Sequence, residues 1–153
     1  MRPTFLLPLL CIGWALLGVA CSVGLLPADV WWAAGVSLVL LALVDAWRVR
    51  RYAAPEVMRD LPDALPVGVP RTVTLSLDNG PRKLSVDVHD LHPNAWAIEG
   101  LPRTLQLAAE STTQFHYVMR PTARGDAAFA GVQLRLHSPW RLWRRSRIVA
   151  ARQ

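Results

Sequence analysis

Two apolar runs separated by only three residues dominate the N-terminal third of the sequence. The first, Phe5 to Leu26, has 22 residues and no charge, and the second, Val30 to Trp47, has 18 residues with one charge, Asp45. As helices rising about 1.5 Å per residue, they would be about 33 and 27 Å long. Both lengths match a hydrocarbon core about 30 Å thick. The break Pro27–Asp29 leaves room only for a tight turn, so the pattern predicts a transmembrane helical hairpin.

Basic residues flank this hairpin on both sides. Arg2 precedes the first run, Arg48 to Arg51 follow the second, and the connecting turn carries only Asp29. Positively charged flanks remain in the cytoplasm. The pattern therefore predicts a multi-pass protein with both ends of the hairpin, and everything after it, on the cytoplasmic side.

The interior of the hairpin has two notable features. Folding about the turn sets Gly18 opposite Ser37, and we expect small residues to form the contact, because lipid gives helices no hydrophobic reason to pair. Asp45 lies one turn from the membrane edge, where its side chain can extend toward Arg48. We therefore do not expect Asp45 to be a proton or ion site.

Both cysteines, Cys11 and Cys21, lie in the first run. Ten helical residues separate them by about 15 Å, too far for a disulfide, whose Cα atoms lie within about 7 Å of each other. Cys21 also ends an imperfect lipoprotein cleavage box, but a second membrane-length run follows within ten residues. An uncleaved hairpin is the interpretation we carry forward, with cleavage as its alternative.

Apolar and polar residues alternate strictly after residue 70, which is typical of half-buried strands. The turn signal Asp78-Asn79-Gly80-Pro81 separates the first two strands. We predict six or seven short antiparallel strands and no helix, arranged as an all-β immunoglobulin-like sandwich. The strands are expected around 73–77, 84–88, 104–107, 114–120, Phe129 and 132–137, with a weak first strand near Val57.

These patterns divide the chain into four segments. Residues 1–49 are the transmembrane helical hairpin, 50–60 a juxtamembrane linker, 61–140 the β-sandwich domain and 141–153 a basic C-terminal segment.

The C-terminal segment is unusually basic. The formal charge of the chain is +6, and no acidic residue follows Asp126. We predict contact with the membrane or a partner, because a tethered basic segment meets anionic lipid or an acidic protein face more readily than nucleic acid. We expect its tryptophans to cover one end of the sandwich core while its arginines face outward; the alternative is that the tryptophans stack nucleic-acid bases or lie in the membrane interface. The predicted contact residues are Trp140, Arg141, Trp143, Arg144, Arg145 and Arg147.

Candidate catalytic or metal-binding residues are sparse. The densest cluster is Asp87, His89, Asp90 and His92, but only the first two share a strand face, and the others end the strand. No nucleophile elbow or Gly-rich phosphate loop is present. We therefore predict a protein that is not an enzyme and has no metal site, catalytic residue or cofactor.

The order of the motifs resembles a known family. A two-helix hairpin precedes Arg59-Asp60-Leu61-Pro62, the strands follow, and the last segments are Arg120-Pro121-x-x-Arg124-Gly125 and Ser138-Pro139-x-x-Leu142-Trp143-Arg144-Arg145. This arrangement resembles the N-terminal half of the bacterial membrane proteins called domain of unknown function 58, over nearly the whole chain. The sequence departs from the family at Ser138-Pro139-Trp140-Arg141-Leu142, where Asp-Pro-Leu-Gly-Leu is usual.

The resemblance implies a setting. Family members lie in the bacterial inner membrane, and their genes commonly neighbour MoxR-type AAA ATPases. Their sandwich is followed by a core related to the von Willebrand factor A fold, whose Asp-x-Ser-x-Ser motif this sequence does not contain. The resemblance therefore implies a docking or scaffold module on the cytoplasmic face, with a MoxR-type ATPase and von Willebrand factor A-type proteins as partners. The alternatives are a basic-tail binder of anionic lipid or nucleic acid, and an envelope protein with its sandwich outside.

Overall fold

The computed structural model describes residues 1–61, 66–92, 96–122 and 129–152. These described residues form two helices and nine short strands, and the chain divides into two compact units. The first unit comprises Met1–Tyr52 and His137–Arg145, and the second comprises Ala53–Leu136 and Ser146–Gln153.

The first unit is built on the two predicted helices, α1 (Leu6–Ser22) and α2 (Ala28–Arg50). Helix α1 has 17 residues and is shorter than its apolar run, because Gly24 adopts a positive φ of 78°. The N–H of Gly24 donates to the carbonyl of Cys21 and that of Leu25 to the carbonyl of Ala20, which forms a Schellman end. The break between the helices is therefore residues 23–27, and α2 begins two residues earlier than its apolar run.

Two tryptophans, each packed on a glycine of the other helix, hold α1 and α2 together. The rings of Trp14 and Trp31 stack with their centroids 4.9 Å apart. A Cβ added to Gly18 would lie 2.8 Å from the Trp31 indole nitrogen, and one added to Gly35 would lie 2.9 Å from the Trp14 ring. Gly18 therefore faces Trp31 rather than the predicted Ser37, and Gly35, which the pattern did not single out, faces Trp14.

The first unit also contains β1 (Arg2–Pro3), which pairs antiparallel with the start of β9 (Trp143–Val149). Arg2 lies opposite Arg144, and Pro3 opposite Trp143. The pairing ties the N-terminus to the segment that we predicted to be a basic tail.

The second unit consists of two antiparallel sheets, so the chain is mostly β after α2. With β1 included, the larger sheet has the order β1-β9-β8-β4-β6 and the smaller has the order β2-β3-β7-β5. The remaining strands are β2 (Glu56–Asp60), β3 (Arg71–Asp78), β4 (Leu84–Leu91), β5 (Trp96–Glu99), β6 (Arg103–Leu107), β7 (Thr112–Pro121) and β8 (Gly131–His137).

Burial alternates along β3, β4 and β7 with a period of two, as the sequence pattern requires. Leu75, Val86, Tyr117 and Leu134, which the alternation places inside, are at most 2% exposed. Asp90 of the larger sheet accepts hydrogen bonds from Arg59 and Tyr117 of the smaller one. Buried faces of the two sheets are therefore turned toward each other.

Most predicted strands are present at the predicted places, including the weak one near Val57, now β2. Strands β1, β5 and β9 were not predicted, and β2 and β9 fall in the ranges assigned to the linker and the basic segment. Phe129 lies outside any strand, and residues 123–128 beside it lie outside the described residues. No helix occurs among the described residues that follow α2.

Candidate functional site

The most distinctive site in the first unit is a turn, Ser138–Leu142, held against α2 by one carboxylate. Asp45 is fully buried, and it accepts hydrogen bonds from the Ser138 hydroxyl and from the backbone N–H groups of Trp140 and Leu142, both at 3.2 Å. The Ser138 hydroxyl oxygen in turn accepts from the N–H of Trp143 at 2.9 Å. One anionic side chain thus satisfies three donors of the turn, and charge-assisted bonds of this kind are the stronger ones.

The expected contact between Asp45 and Arg48 is not formed. The Arg48 guanidinium instead lies over the Trp140 ring, 5.2 Å from its centroid. Asp45 instead accepts hydrogen bonds from the turn, because the backbone N–H groups of Trp140 and Leu142 would each cost about 1–3 kcal/mol if they were buried without an acceptor.

The two tryptophans of the predicted contact segment have different environments. The indole N–H of Trp143 donates to the carbonyl of Ala42 in α2 at 2.9 Å, and the side chain is half buried. Trp140 is 42% exposed, with its ring beneath Arg48. Trp143 therefore fastens the segment to α2, whereas Trp140 remains available at the surface.

The four predicted contact arginines also separate into groups. Arg141 occupies the left-handed region with φ 56° and is exposed in the turn, and Arg144 is exposed on β9. Arg145 is half buried and donates to the carbonyl of Arg50 at 2.8 Å, which satisfies one of the last carbonyls of α2. Arg147 is exposed and belongs to the second unit.

Two open apolar grooves lie beside Trp143 in the first unit. One has a volume of about 530 Å³ and is lined by α1 and α2, including Cys11, Trp32 and Val39. The other, about 600 Å³, includes Met1 and Trp47. Their walls are almost entirely apolar, with Cys11 lining the first groove and Arg50 the second.

The second unit contains a buried polar cluster made of Arg59, Asp90 and Tyr117. The side chains of Arg59 and Asp90 are 2% and 0% exposed and form an ion pair with two hydrogen bonds. The Tyr117 hydroxyl donates to the same carboxylate, and the Arg59 guanidinium lies 4.1 Å from the centroid of the Phe129 ring. Desolvation, reinforced by the hydrogen bond to Asp90 and its charge, raises the pKa of the Tyr117 phenol far above its ordinary value.

The polar side chains of this cluster are paired with one another. Asp90 accepts three hydrogen bonds, two from Arg59 and one from Tyr117, and the phenol is held in its neutral form. The sequence contained a signal for this buried cluster, because Asp90 continues the inward-facing positions Leu84, Val86 and Val88 of β4. A carboxylate at an inward position requires a buried donor.

The other members of the cluster Asp87, His89, Asp90 and His92 are not brought together as ligands. Asp87 accepts a hydrogen bond from Thr104 at 2.8 Å, and the rings of His89 and His92 are 6.3 Å apart. In the part of the chain that the structure describes, no three His, Cys, Asp or Glu side chains are grouped so as to hold a metal ion.

No protein-family model matches the chain. A search of curated proteins likewise finds no match.

Proposed function

We propose that this protein is a membrane-anchored docking module. In this proposal α1 and α2 cross a bacterial inner membrane as a hairpin, and the two sheets form an immunoglobulin-like sandwich on the cytoplasmic side. The sandwich presents a surface to a partner and carries out no chemistry of its own.

The exposure of the helices' apolar side chains is the observation that carries the proposal. Helix α2 has 23 residues and is long and apolar enough to cross a membrane, yet only 11% of its most apolar 18-residue stretch is buried. A core helix of a soluble protein would be mostly buried, and contiguous apolar patches on a soluble surface rarely exceed a few hundred Å². Val36, Val39 and Leu43 are each more than half exposed. Lipid is the environment that such a surface fits.

Helix α1 supports the same interpretation less directly. At 17 residues it is about 25 Å long, a few ångströms short of the hydrocarbon core. Local thinning of the bilayer and flanking interfacial residues accommodate such a mismatch at modest cost. Phe5 and Leu16 are 81% and 65% exposed, as expected of lipid-facing residues.

The ends of the hairpin support the cytoplasmic orientation. Arg48 and Arg50 lie in the last turn of α2, and Arg2 precedes α1. The guanidinium of Arg50 reaches the sulfur of Met1 at 3.3 Å, so both ends of the hairpin meet on one side. Under the positive-inside rule that side is the cytoplasm.

The proposed partners, a MoxR-type AAA ATPase and von Willebrand factor A-type proteins, are taken from the family resemblance. Pull-down of a purified MoxR-type ATPase by the detergent-solubilised chain tests this partnership directly. A failure of this pull-down removes the partner and leaves the anchor in place.

Membrane extraction tests the anchor. The full chain, tagged after Gln153 and expressed in a bacterium, should stay in the membrane pellet at alkaline pH and enter solution only with detergent. Its intact mass should include residues 1–52. Release at alkaline pH, or a mass that lacks the first helix, would contradict the hairpin and favour a cleaved leader.

A further inference from the structure

We propose that six exposed arginines of the first unit form a binding surface for the head groups of anionic phospholipids; this inference rests on the proposed membrane anchoring. The six, named the arginine cluster below, are Arg2, Arg48, Arg50, Arg51, Arg141 and Arg144.

Three segments that are distant in the sequence bring the cluster together. The β1–β9 pairing sets Arg2 directly opposite Arg144. The turn that Asp45 holds carries Arg141 and lies beside Arg48 through Trp140. Arg145 links β9 to the end of α2 by its hydrogen bond to the carbonyl of Arg50. Of the six, the sequence alone places only Arg141 and Arg144 in the basic C-terminal segment, whereas the fold brings Arg2 and the arginines at the end of α2 to the same region.

Within the first unit, no carboxylate forms an ion pair with the arginine cluster. The first unit contains two acidic residues, Asp29 and Asp45. Asp45 is buried against the turn, and Asp29 lies in the first turn of α2, about 28 Å along the helix from Arg48. Among the described residues, none of the six guanidinium groups forms an ion pair.

The pairing of Arg2 directly opposite Arg144 favours a bound anion. Side chains directly opposite on antiparallel strands have Cβ atoms about 5 Å apart, and like charges there are destabilising. A phosphate between two guanidinium groups relieves the repulsion, since each planar group can donate two parallel hydrogen bonds to it.

The surrounding tryptophans indicate that the phosphate belongs to a lipid. Arg51 lies 3.9 Å from the centroid of the Trp47 ring, Arg48 lies over Trp140, and the indole of Trp143 is bonded to α2 at Ala42. Tryptophans are enriched at the membrane–water interface. In the proposed orientation the cluster therefore lies at the level of the cytoplasmic head groups, where anionic lipids attract basic residues.

Lipid selectivity of the full chain tests this inference. The chain is reconstituted in phosphatidylcholine vesicles that contain brominated phosphatidylglycerol or brominated phosphatidylcholine, and quenching of tryptophan fluorescence reports which lipid lies beside it. We expect the wild-type protein to prefer phosphatidylglycerol by at least about threefold, and high salt to reduce the preference.

Two quadruple variants with equal charge changes locate the effect. Replacing Arg2, Arg48, Arg141 and Arg144 with Gln should bring the preference to about one. The control replaces Arg71, Arg82, Lys83 and Arg135, exposed basic residues of the second unit, with Gln and should keep the preference. Equal loss in both variants would overturn the inference in favour of general charge attraction.

The other possible results of the experiment also support or overturn the lipid-binding inference. No preference in the wild-type protein overturns the inference even if the cluster variant fails to reconstitute. Competition by millimolar inorganic phosphate would point to a free-anion site, and competition by a single-stranded oligonucleotide to a nucleic-acid surface; either result overturns the lipid assignment. Failure of the chain to insert would instead contradict the proposed anchoring, which alkaline extraction reports separately.

Discussion

The carboxylate of Asp45 accepts a hydrogen bond from the backbone N–H of Leu142, 97 residues later in the chain, at 3.2 Å. Asp45 belongs to α2, which we propose to be in the membrane, and Leu142 lies at the end of the turn that carries Trp140 and Arg141. The bond couples the helix to the basic segment that follows the last predicted strand. It explains why a fully buried aspartate is tolerated in the apolar run Val30 to Trp47.

Removal of the Asp45 carboxylate should release this turn. In Asp45→Ala, the Ser138 hydroxyl and the N–H groups of Trp140 and Leu142 lose their acceptor, at a cost of about 1–3 kcal/mol for each donor that stays buried. Hydrogen exchange measured by mass spectrometry should show faster exchange in a peptide spanning residues 138–143.

The matched control is Asp29→Ala, which removes the same charge from the first turn of α2. It should leave exchange in residues 138–143 unchanged. Unchanged exchange in Asp45→Ala would contradict the proposed role of the carboxylate.

The helix contact should be sensitive to a single methyl group at Gly35. In Gly35→Ala the new Cβ would lie 2.9 Å from the Trp14 ring, and such overpacking typically costs about 1–3 kcal/mol. We expect a lower thermal midpoint in detergent, followed by circular dichroism. Gly13→Ala is the control, because nothing lies within 4 Å of its Cβ position, and there the helix propensity of alanine should leave the midpoint equal or higher. A lower midpoint in the control as well would contradict this packing.

The ion pair of Arg59 and Asp90 should show strong coupling. Breaking a buried pair by removing one partner costs about 3–5 kcal/mol, because the other charge stays buried and unpaired. The single variants Arg59→Met and Asp90→Leu should each lower the thermal midpoint substantially. The double variant should be more stable than the sum of the two effects predicts. Additive losses would show that the two side chains do not depend on each other.

The raised pKa of Tyr117 has a defined effect on stability at alkaline pH. The unfolded phenol loses its proton near pH 10, whereas the native one retains it, so the native state binds more protons above that pH. Stability should therefore be unaffected below about pH 10 and fall by up to about 1.4 kcal/mol per pH unit above it.

Thermal midpoints between pH 8 and 11 measure this effect. Tyr117→Phe is less stable at neutral pH, because Asp90 loses a donor, but its midpoint should fall less steeply above pH 10. Parallel curves for the two proteins would contradict a native phenol that stays protonated.

Local patterns made the main elements predictable. The 22-residue uncharged run indicated α1, and the period-two alternation indicated β3, β4 and β7, since such alternation reports burial of one strand face. The end of α1 was missed because Gly24 stops the helix inside the apolar run. The short strand β5 was missed because four residues give too little alternation.

The long-range polar contacts were not predictable in the same way. Asp45 and the turn at Ser138 are 93 residues apart, and no local pattern connects them. Asp90 is different, because its position on the inward face of β4 signals a buried partner. The same reasoning applies to Arg59, which follows the buried Val57 by two residues in β2. Identifying the partner still required the sheet order.

The central claim is that the hairpin crosses the membrane and leaves the β-rich unit in the cytoplasm, and cysteine labelling tests it most directly. Cys11 and Cys21 are the only cysteines, so a background with both replaced by Ser accepts a single reporter, Ala28→Cys at the start of α2 or Met58→Cys on β2. Ala28 is exposed and Met58 is 59% exposed. A membrane-impermeant maleimide should label Ala28→Cys in intact spheroplasts and Met58→Cys only after lysis. Labelling of Met58→Cys in intact spheroplasts would contradict the account.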